Sequence, residues 1–356
     1  MISRRNEALS PYTTLGLGGP AATFLEPSRE SELIEALLDA EKSQEPVLLL
    51  GGGSNLVVAD EGFAGAVIKL GASLAETTIS RDDAAYIVDA GAGRPWDEFV
   101  EEMVMLGASG VESLSGIPGL VGATPMQNVG AYGQEVSQSI EHVRVYDRSE
   151  KVTRIMQNQE CAFGYRESVF RGSDRYAILS VRFRLLRSED SAPIRYDELS
   201  RALGVSAGQR APLRKVRETV VALRRAKGMV VDAKDPESRS AGSFFKNPIV
   251  DNEEFHALEA RVFSQMGGAK IPSYPDTQAP ANRRKIAAAW LIEHAGFHKG
   301  HGGRIRISKK HALSLVNGGG GTATELVELA RSIRAKVRDV FGVTLEAEPI
   351  FVGLSL

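Results

Sequence analysis

Residues 110–133, GVESLSGIPGLVGATPMQNVGAYG, constrain this chain more tightly than any other stretch. They hold six glycines, at 110, 116, 119, 122, 130 and 133, with Gly107 just upstream and no Lys, Arg or His among them. Glycine lets the main chain take φ > 0 and come close to a ligand, so neighbouring N–H groups can converge on an anion without a cationic side chain. A diphosphate suits such a surface. Upstream, PVLLLGGGSNLVV offers a second one: the apolar run over 47–50 reads as a buried strand, and Gly51, Gly52, Gly53, Ser54 and Asn55 as the loop at its end. Either stretch alone is more often a plain turn than a phosphate cradle. Two on one scaffold suit an extended dinucleotide cofactor better than a mononucleotide.

The usual nucleotide motifs do not fit. A P-loop needs Lys and then Ser or Thr after its last glycine, and neither the 51–55 loop nor the run Gly318, Gly319, Gly320, Gly321 has one, which argues against phosphotransfer of that kind. Gly16-Leu17-Gly18-Gly19-Pro20-Ala21 matches the dinucleotide fingerprint by spacing only: no strand is expected before it, and Pro20 interrupts a turn into a helix. Forty-three basic against forty-five acidic residues leave a formal charge of −2, so no global field draws the chain to nucleic acid or to an anionic membrane. The single Cys161 cannot close an internal disulfide, which fits a reducing compartment. With no apolar run of bilayer-spanning length and no signal-peptide core in MISRRNEALSPY, a cytoplasmic protein is expected. His298 and His301 invite a metal reading but lack a third ligand at a sensible spacing, so no metal is expected.

Residues 1–12 read as a mobile lead-in. Strands are expected over 22–25, 47–50 and 66–70, with a helix over 28–42 that presents Leu33, Leu37 and Ala40 on one face. A strand over 85–90 leads to a helix over 95–106, with Pro95 in its first turn, apolar Trp96, Phe99, Val100 and Met103, and Gly107 as its stop. Alternating runs over 142–146, 152–155 and 177–185 read as antiparallel strands. Polar residues 189–211 read as a linker or surface loop. The helix over 212–227 has Leu213, Val216, Val220 and Leu223 inward, and Arg214, Arg217, Arg224, Arg225 and Lys227 outward. Helices over 287–294 and 324–340 flank strands over 305–307 and 313–316; Thr322 and Glu325 have capping-box spacing, and Gly342 ends the last helix. The expected fold class is α+β: a domain over 13–188 in two lobes, about 13–70 and 71–188, then a second α+β domain over 212–356.

The strings IPGLVGATPMQNVGAYG and LGGGSNLVV together resemble the flavin-binding half of the UDP-N-acetylenolpyruvoylglucosamine reductase family, whose flavin fold is of the vanillyl-alcohol oxidase type. Three further strings match in order: FGYRES from Phe163, AGSFFKNP from Ala241 and LEAE from Leu345. The resemblance runs from about residue 13 to 353. It implies a two-lobed FAD-binding domain followed by a substrate-binding domain, and an NADPH-dependent oxidoreductase that reduces UDP-N-acetylglucosamine enolpyruvate to UDP-N-acetylmuramate in peptidoglycan precursor synthesis. Hydride passes from NADPH to FAD and on to the methylene carbon of the enolpyruvyl group. The partner is a small nucleotide sugar, with no nucleic acid or membrane, and the chain is expected as a monomer. No His or Cys lies in the two loops, so the FAD is expected to be noncovalent. The alternative is an FAD-dependent alcohol or sugar-lactone oxidase of the same flavin fold, which leaves the matched polar residues below without a task.

Hydride addition leaves negative charge on the neighbouring carbon, delocalised into its carboxylate. The site therefore needs cationic and hydrogen-bonding groups around that carboxylate and a proton donor over one face. The resemblance assigns Arg166 to polarise the enolpyruvyl group, a task that paired guanidinium donors suit. It makes Ser243 the proton donor, which requires a cation near the alkoxide it becomes; Lys246 lies close in sequence. Glu346 and Glu348 share a face on a strand, so either could point inward, and the family pattern takes the second, Glu348. Pro349 departs from the family's aliphatic residue after this Glu and cannot donate to a ladder. The same matching implies that Tyr165, Tyr196, Lys227, Asn247, Tyr274, Lys285 and His311 hold the sugar, the diphosphate and the nicotinamide cofactor, with Tyr196 on a loop that closes over substrate. His311 stands where many relatives carry Gln. The flavin contacts implied are Gly51, Gly52, Gly53, Ser54, Asn55, Ser115, Gly116, Pro118, Gly119, Gly122, Ala123, Thr124, Asn128, Gly130, Ala131 and Tyr132.

Overall fold

The computed structural model describes residues 1–275 and 282–356. The chain divides into two compact units: one comprises Met1–Ala8, Pro20–Gly53 and Phe63–Val230, the other Leu9–Gly19, Ser54–Gly62 and Val231–Leu356. Both mix helices and sheets, as the apolar periodicities predict.

Two large sheets and the short pair Gly130–Ala131 with Gln134–Glu135 build the first unit. In one, the strand order is Ile2–Ala8, Pro20–Glu26, Phe63–Lys69, Val47–Leu50. The first pair is antiparallel, with Ile2 opposite Glu26, and the other contacts are parallel. Residues 2–8 are thus an edge strand and not a mobile lead-in. An edge strand exposed on both faces needs no apolar alternation, so ISRRNEA carries no strand signal. Helix α1 (Glu30–Lys42) sets Leu33, Ala36 and Leu37 against Ile68 of this sheet. The short parallel strand Val47–Leu50 delivers Gly51 at its carboxyl end, where open α/β layers bind ligands.

The other sheet runs Val152–Gln157, Ile140–Asp147, Tyr176–Arg187, Ala85–Gly91, Thr77–Arg81, all antiparallel. Helix α2 (Trp96–Leu106) covers it with Trp96, Phe99, Val100 and Met103 fully buried, the Phe99 ring 4.9 Å from that of Phe183. Trp96 Nε1 donates to Leu114 O at 3.1 Å, which hooks the start of the glycine-rich loop onto this helix. Residues 189–211, expected as a linker or surface loop, carry helix α3 (Asp197–Leu203). Their Ile194, Leu199 and Ala211 are buried with Val216 and Val220 of helix α4 (Leu213–Ala226), and both helices lie within the first unit. Three apolar residues so widely spaced leave no periodic signature.

The second unit packs three helices, α5 (Asn252–Met266), α6 (Ala288–His294) and α7 (Ala323–Phe341), around one core that includes Leu15, Val57, Phe244, Phe245, Leu291 and Ile333. Its strands form an antiparallel sheet in the order Ile249–Asp251, Arg283–Ile286, Ser273–Pro275, an antiparallel pair Ile305–Ile307 with Leu315–Asn317, and a parallel pair Leu56–Val58 with Ile350–Val352. Helix α7 opens on the Thr322 and Glu325 capping box. Asp60 adds a second cap, accepting from the N–H groups of Ala323 (2.8 Å) and Thr324 (3.0 Å) and from the Thr324 hydroxyl (2.8 Å). Helix α5 had no counterpart among the expected elements, because only Phe255, Leu258 and Val262 of its residues are buried. A strand does precede Gly16, contrary to expectation, yet Pro20 opens another strand and no helix, so the fingerprint reading stays excluded. Among the described residues no helix is long and apolar enough to cross a membrane.

Candidate functional site

In the first unit the two glycine-rich loops meet. A Cβ on Gly52 would stand 2.7 Å from Gly119 Cα, so only glycine permits this approach. The N–H groups of Gly51, Gly52, Gly53 and Gly119 reach no acceptor among the described residues. Those of Gly116, Gly122, Ala123 and Thr124 are engaged internally, by Asp97 Oδ1 and by the carbonyls of Ala92, Leu120 and Val121. Amides without an acceptor among the described residues thus lie where Gly52 meets Gly119. Side chains in the second loop turn inward: Ser115 Oγ donates to Glu112 O at 2.7 Å and Thr124 Oγ1 to Val121 O at 2.8 Å. Asn128 is buried and engaged throughout, its amide nitrogen donating to Glu135 Oε2 and Gly164 O at 3.0 Å each, its Oδ1 accepting from Ser137 N–H at 3.1 Å. It clasps the 128–137 loop to the turn that bears Arg166.

That turn is closed by Gly164 and Glu167, whose N–H groups donate to each other's carbonyls at 3.0 and 3.2 Å, with Tyr165 and Arg166 at its tip. Arg166 Nη2 donates to Gly130 O at 2.7 Å, and its guanidinium lies 5.4 Å from the centre of the Tyr165 ring. Asn128, Tyr132 and Arg166 all have positive φ, at 44°, 51° and 57°. Left-handed backbone costs a side-chain-bearing residue about 1 kcal/mol or more, and such conformations concentrate at functional sites.

Tyr132, Tyr196 and Lys227 converge from three segments. The two tyrosine rings meet edge to face with centroids 5.6 Å apart, and Lys227 Nζ lies 5.6 Å from the Tyr132 ring centre. Lys227 Nζ is also 2.6 Å from Glu198 Oε2, a partner the sequence reading missed. Burial pushes the Tyr132 phenol up to about 12, with Arg224 opposing and Glu198 adding to the shift. Arg224 is not outward as expected: only 9% of its surface is exposed. Its number continues the stripe 213, 216, 220, 224 at helical spacing, the signal that could have found it. Its Nη2 donates to Met229 O at 3.0 Å, while its buried Nε has no hydrogen-bond partner among the described residues. Arg217 is likewise turned in, onto Asp97 at 2.6 and 3.2 Å. Abutting glycine loops with unengaged amides, a buried guanidinium and a neutral phenol fit an anionic, aromatic dinucleotide such as FAD.

In the second unit, residues 240–248 thread between two strand segments. Phe244 N–H donates to Leu313 O at 2.7 Å, and Phe244 O accepts from Glu348 N–H at 2.9 Å. Fully buried Phe244 and Phe245 anchor the segment and leave Ser243 half-buried, one residue from the main-chain bond that holds Glu348. Of the two acids, Glu346 is 74% exposed with Lys246 Nζ at 3.5 Å, whereas Glu348 is half-buried. Pro349 sits at a switch. Before it the chain bonds to Phe244; after it, Ile350 N–H donates to Asn55 O at 2.9 Å, and residues 350–352 pair with 56–58. A residue between two ladders has no bond to donate, so proline disturbs neither. Asn55 Nδ2 reaches Glu348 O at 3.4 Å. Asn247 Oδ1 accepts the first N–H of α6, from Ala288, at 3.0 Å. Tyr274, which is exposed, and half-buried Lys285 are cross-strand partners. His311 is half-buried in the 308–314 turn.

Two family models match the chain: an FAD binding domain over residues 21–155, and the C-terminal domain of UDP-N-acetylenolpyruvoylglucosamine reductase over 235–352. It is 54% identical over 355 residues to the UDP-N-acetylenolpyruvoylglucosamine reductase of Thermobifida fusca, covering 99% of this chain and 98% of that one. Identity to the same enzyme of Streptomyces avermitilis is 48%, over 98% and 94%. The crystal structure of the Thermus caldophilus reductase matches with a TM-score of 0.65 and 25% identity over 99% of this chain and 98% of that one. Ordered motifs, a glycine cradle suited to FAD and relatives matched end to end lead to one conclusion: the chain belongs to the UDP-N-acetylenolpyruvoylglucosamine reductase family and is an FAD-containing oxidoreductase.

Proposed function

We propose that this chain reduces UDP-N-acetylglucosamine enolpyruvate to UDP-N-acetylmuramate, with NADPH as donor and noncovalent FAD as relay, and that Arg166, Ser243 and Glu348 act on the enolpyruvyl group. The observation that carries the reading is the set of unengaged amides where the loops touch, beside a tyrosine and lysine cluster, in a chain 54% identical to a reductase of that name. Bound FAD supplies two-electron chemistry at its ring. The amides of Gly51, Gly52, Gly53 and Gly119 hold its diphosphate. Arg166, oriented by Gly130 O and by the Tyr165 ring, pairs with the substrate carboxylate and stabilises the charge that gathers there as the methylene carbon is reduced. Ser243 gives its hydroxyl proton to the adjacent carbon, and Glu348 supports that transfer from beside it.

Lys227 and Lys285 meet the substrate diphosphate, and Tyr165, Tyr196, Tyr274, Asn247 and His311 complete its pocket. Lys227 Nζ is 2.6 Å from Glu198 Oε2, so a diphosphate that pairs with Lys227 competes with that carboxylate. The nicotinamide donor and the nucleotide sugar take the pocket in turn. The chain acts as a monomer in the cytoplasm, on a precursor not yet attached to a lipid, and serves peptidoglycan synthesis and through it cell shape and division. The test is anaerobic: NADPH bleaches the bound flavin and the enolpyruvyl sugar nucleotide restores its colour. Colour that returns only with oxygen and is indifferent to the sugar nucleotide would favour an oxidase.

A further inference from the structure

One buried carboxylate of the second unit, Glu237, takes no part in the proposed chemistry. It opens the segment that leads to Ser243, and only 6% of its surface is exposed. Its Oε1 accepts from Arg306 Nη2 at 2.5 Å, and its Oε2 from the Ser308 hydroxyl and the Lys309 N–H, both at 2.7 Å. All three donors lie just before or at the start of the 308–314 turn, which bears His311. Strand alternation explains the arrangement: Ile305, Ile307 and Leu315 belong to the apolar core, so Arg306 and Ser308 share the opposite face, where Glu237 meets them. Gly318 leaves the guanidinium its place, since a Cβ there would collide with Arg306 Nη1. Burial by itself would raise the Glu237 pKa, but the bonds from Ser308, Arg306 and Lys309 outweigh it and keep the group ionised.

We infer that Glu237 is a positioning residue: its carboxylate locks the segment that carries Ser243 against the 306–316 ribbon and so fixes where the Ser243 hydroxyl stands. The inference rests on the reading of Ser243 as proton donor. Downstream of Glu237 the two stretches run side by side. Asn317 N–H donates to Arg239 O at 3.0 Å, Ser240 bridges to Val316, and Phe244 N–H donates to Leu313 O at 2.7 Å, with Ser243 between the last two ties. Apolar contacts on the core face of the ribbon have no direction. Three charge-assisted bonds on one carboxylate do, and they allow a single register. A buried ion pair adds little stability over apolar packing of the same volume, and its best use is to select one arrangement. Proton delivery needs that selection, because a misplacement of about 1 Å by a residue remote from the chemistry can cost on the order of 10²-fold in rate.

The experiment follows both half-reactions of the FAD-loaded full chain by stopped flow, for Glu237→Gln, Glu237→Asp and Ser243→Ala, and for Glu237→Gln combined with Ser243→Ala. Glu237→Gln keeps the volume but offers one acceptor oxygen where two are used. It is expected to slow reoxidation by the enolpyruvyl sugar nucleotide about 10- to 10²-fold and to raise the solvent deuterium isotope effect on that step, while flavin reduction by NADPH stays near its wild-type rate. Glu237→Asp, which keeps the charge, should recover part of the loss. In the Ser243→Ala background Glu237→Gln should add little, because nothing is left for it to position. Hydrogen exchange should show the amides of Lys309 and Lys310 opening faster in Glu237→Gln. If that variant does not fold, Ser308→Ala, which removes one donor and keeps the ion pair, is expected to show the same raised isotope effect with a smaller slowing. A lowered melting temperature with an unchanged isotope effect reduces Glu237 to a brace of the fold and overturns the inference. Equal slowing of both half-reactions, losses that multiply with Ser243→Ala, or unchanged exchange at residues 309 and 310 overturn it too. Ser243→Ala that reoxidises at the wild-type rate removes the underlying reading, and the inference with it, whatever the Glu237 variants do.

Discussion

Ser243 and Cys161 show how position decides what a small polar side chain can do. Ser243 is half-buried beside the main-chain bond that holds Glu348, so its hydroxyl can face a substrate. Ser243→Ala should leave flavin reduction by NADPH at its wild-type rate and slow reoxidation by the enolpyruvyl sugar about 10²- to 10⁴-fold, the usual range for a lost proton donor. Stopped-flow traces of the two half-reactions check this, and equal slowing of both would make the residue structural. Cys161 is fully buried, and burial, with Glu160 adding to it, pushes its thiol up to about 12. At about pH 8 the thiolate fraction is then on the order of 10⁻⁴, so thiol reagents should label the native protein far more slowly than the denatured one. Fast labelling of folded protein would contradict this burial.

Loops and helix ends carry the element-scale predictions. Gly52→Ala would drive a Cβ to 2.7 Å from the Gly119 main chain, which cannot yield as a flexible side chain can. The two loops must part, at a cost of about 1–3 kcal/mol by analogy with overpacking. Purified Gly52→Ala is expected to keep its far-ultraviolet spectrum and bind FAD about tenfold or more weakly, read from visible absorbance. Asp60 tests the cap of α7. Burial by itself would raise its pKa, but its bonds to the Ala323 and Thr324 N–H groups and the Thr324 hydroxyl outweigh burial and hold it below the usual carboxylate range. With a depressed folded pKa, its contribution is present above the ordinary carboxylate pKa and is lost as pH falls through the folded value. Asp60→Ala should cost ~1–2 kcal/mol at neutral pH, and denaturant melts should show the gap to wild type closing in acid. A gap that ignores pH would mean the carboxylate charge is irrelevant to the cap.

For the whole molecule, the proposed chemistry asks Arg166, Ser243 and Glu348 to act together on one substrate. Groups that act as a unit are strongly non-additive. The double variant Arg166→Lys with Glu348→Gln is therefore expected to slow flavin reoxidation little more than the worse of its two singles. Rate losses that multiply would instead indicate independent sites.

Local signals were legible in the residues themselves. Helices α1, α2, α4 and α7, the Thr322 and Glu325 box, the Gly107 and Gly342 stops and the two glycine loops all follow from spacings of a few positions, because the contacts that make them span only a few positions. Family motifs added the chemistry, since each is a short string. What only the tertiary structure decided is everything that depends on partners distant in sequence. The strand over 2–8 exists because Pro20–Glu26 offers it an edge, and α3 because α4 covers its few apolar residues. The inward turn of Ser115, Thr124 and Asn128, and the close approach of Gly52 to Gly119, come from how the loops pack. Arg224 is the sharpest instance: its place on the apolar stripe was written in the sequence, but its burial arises only when α4 folds against Gly116 and Tyr132. Hydrogen bonds and charges are settled by whichever groups the fold brings within a few ångströms, and sequence spacing carries that information only along a single helix or strand.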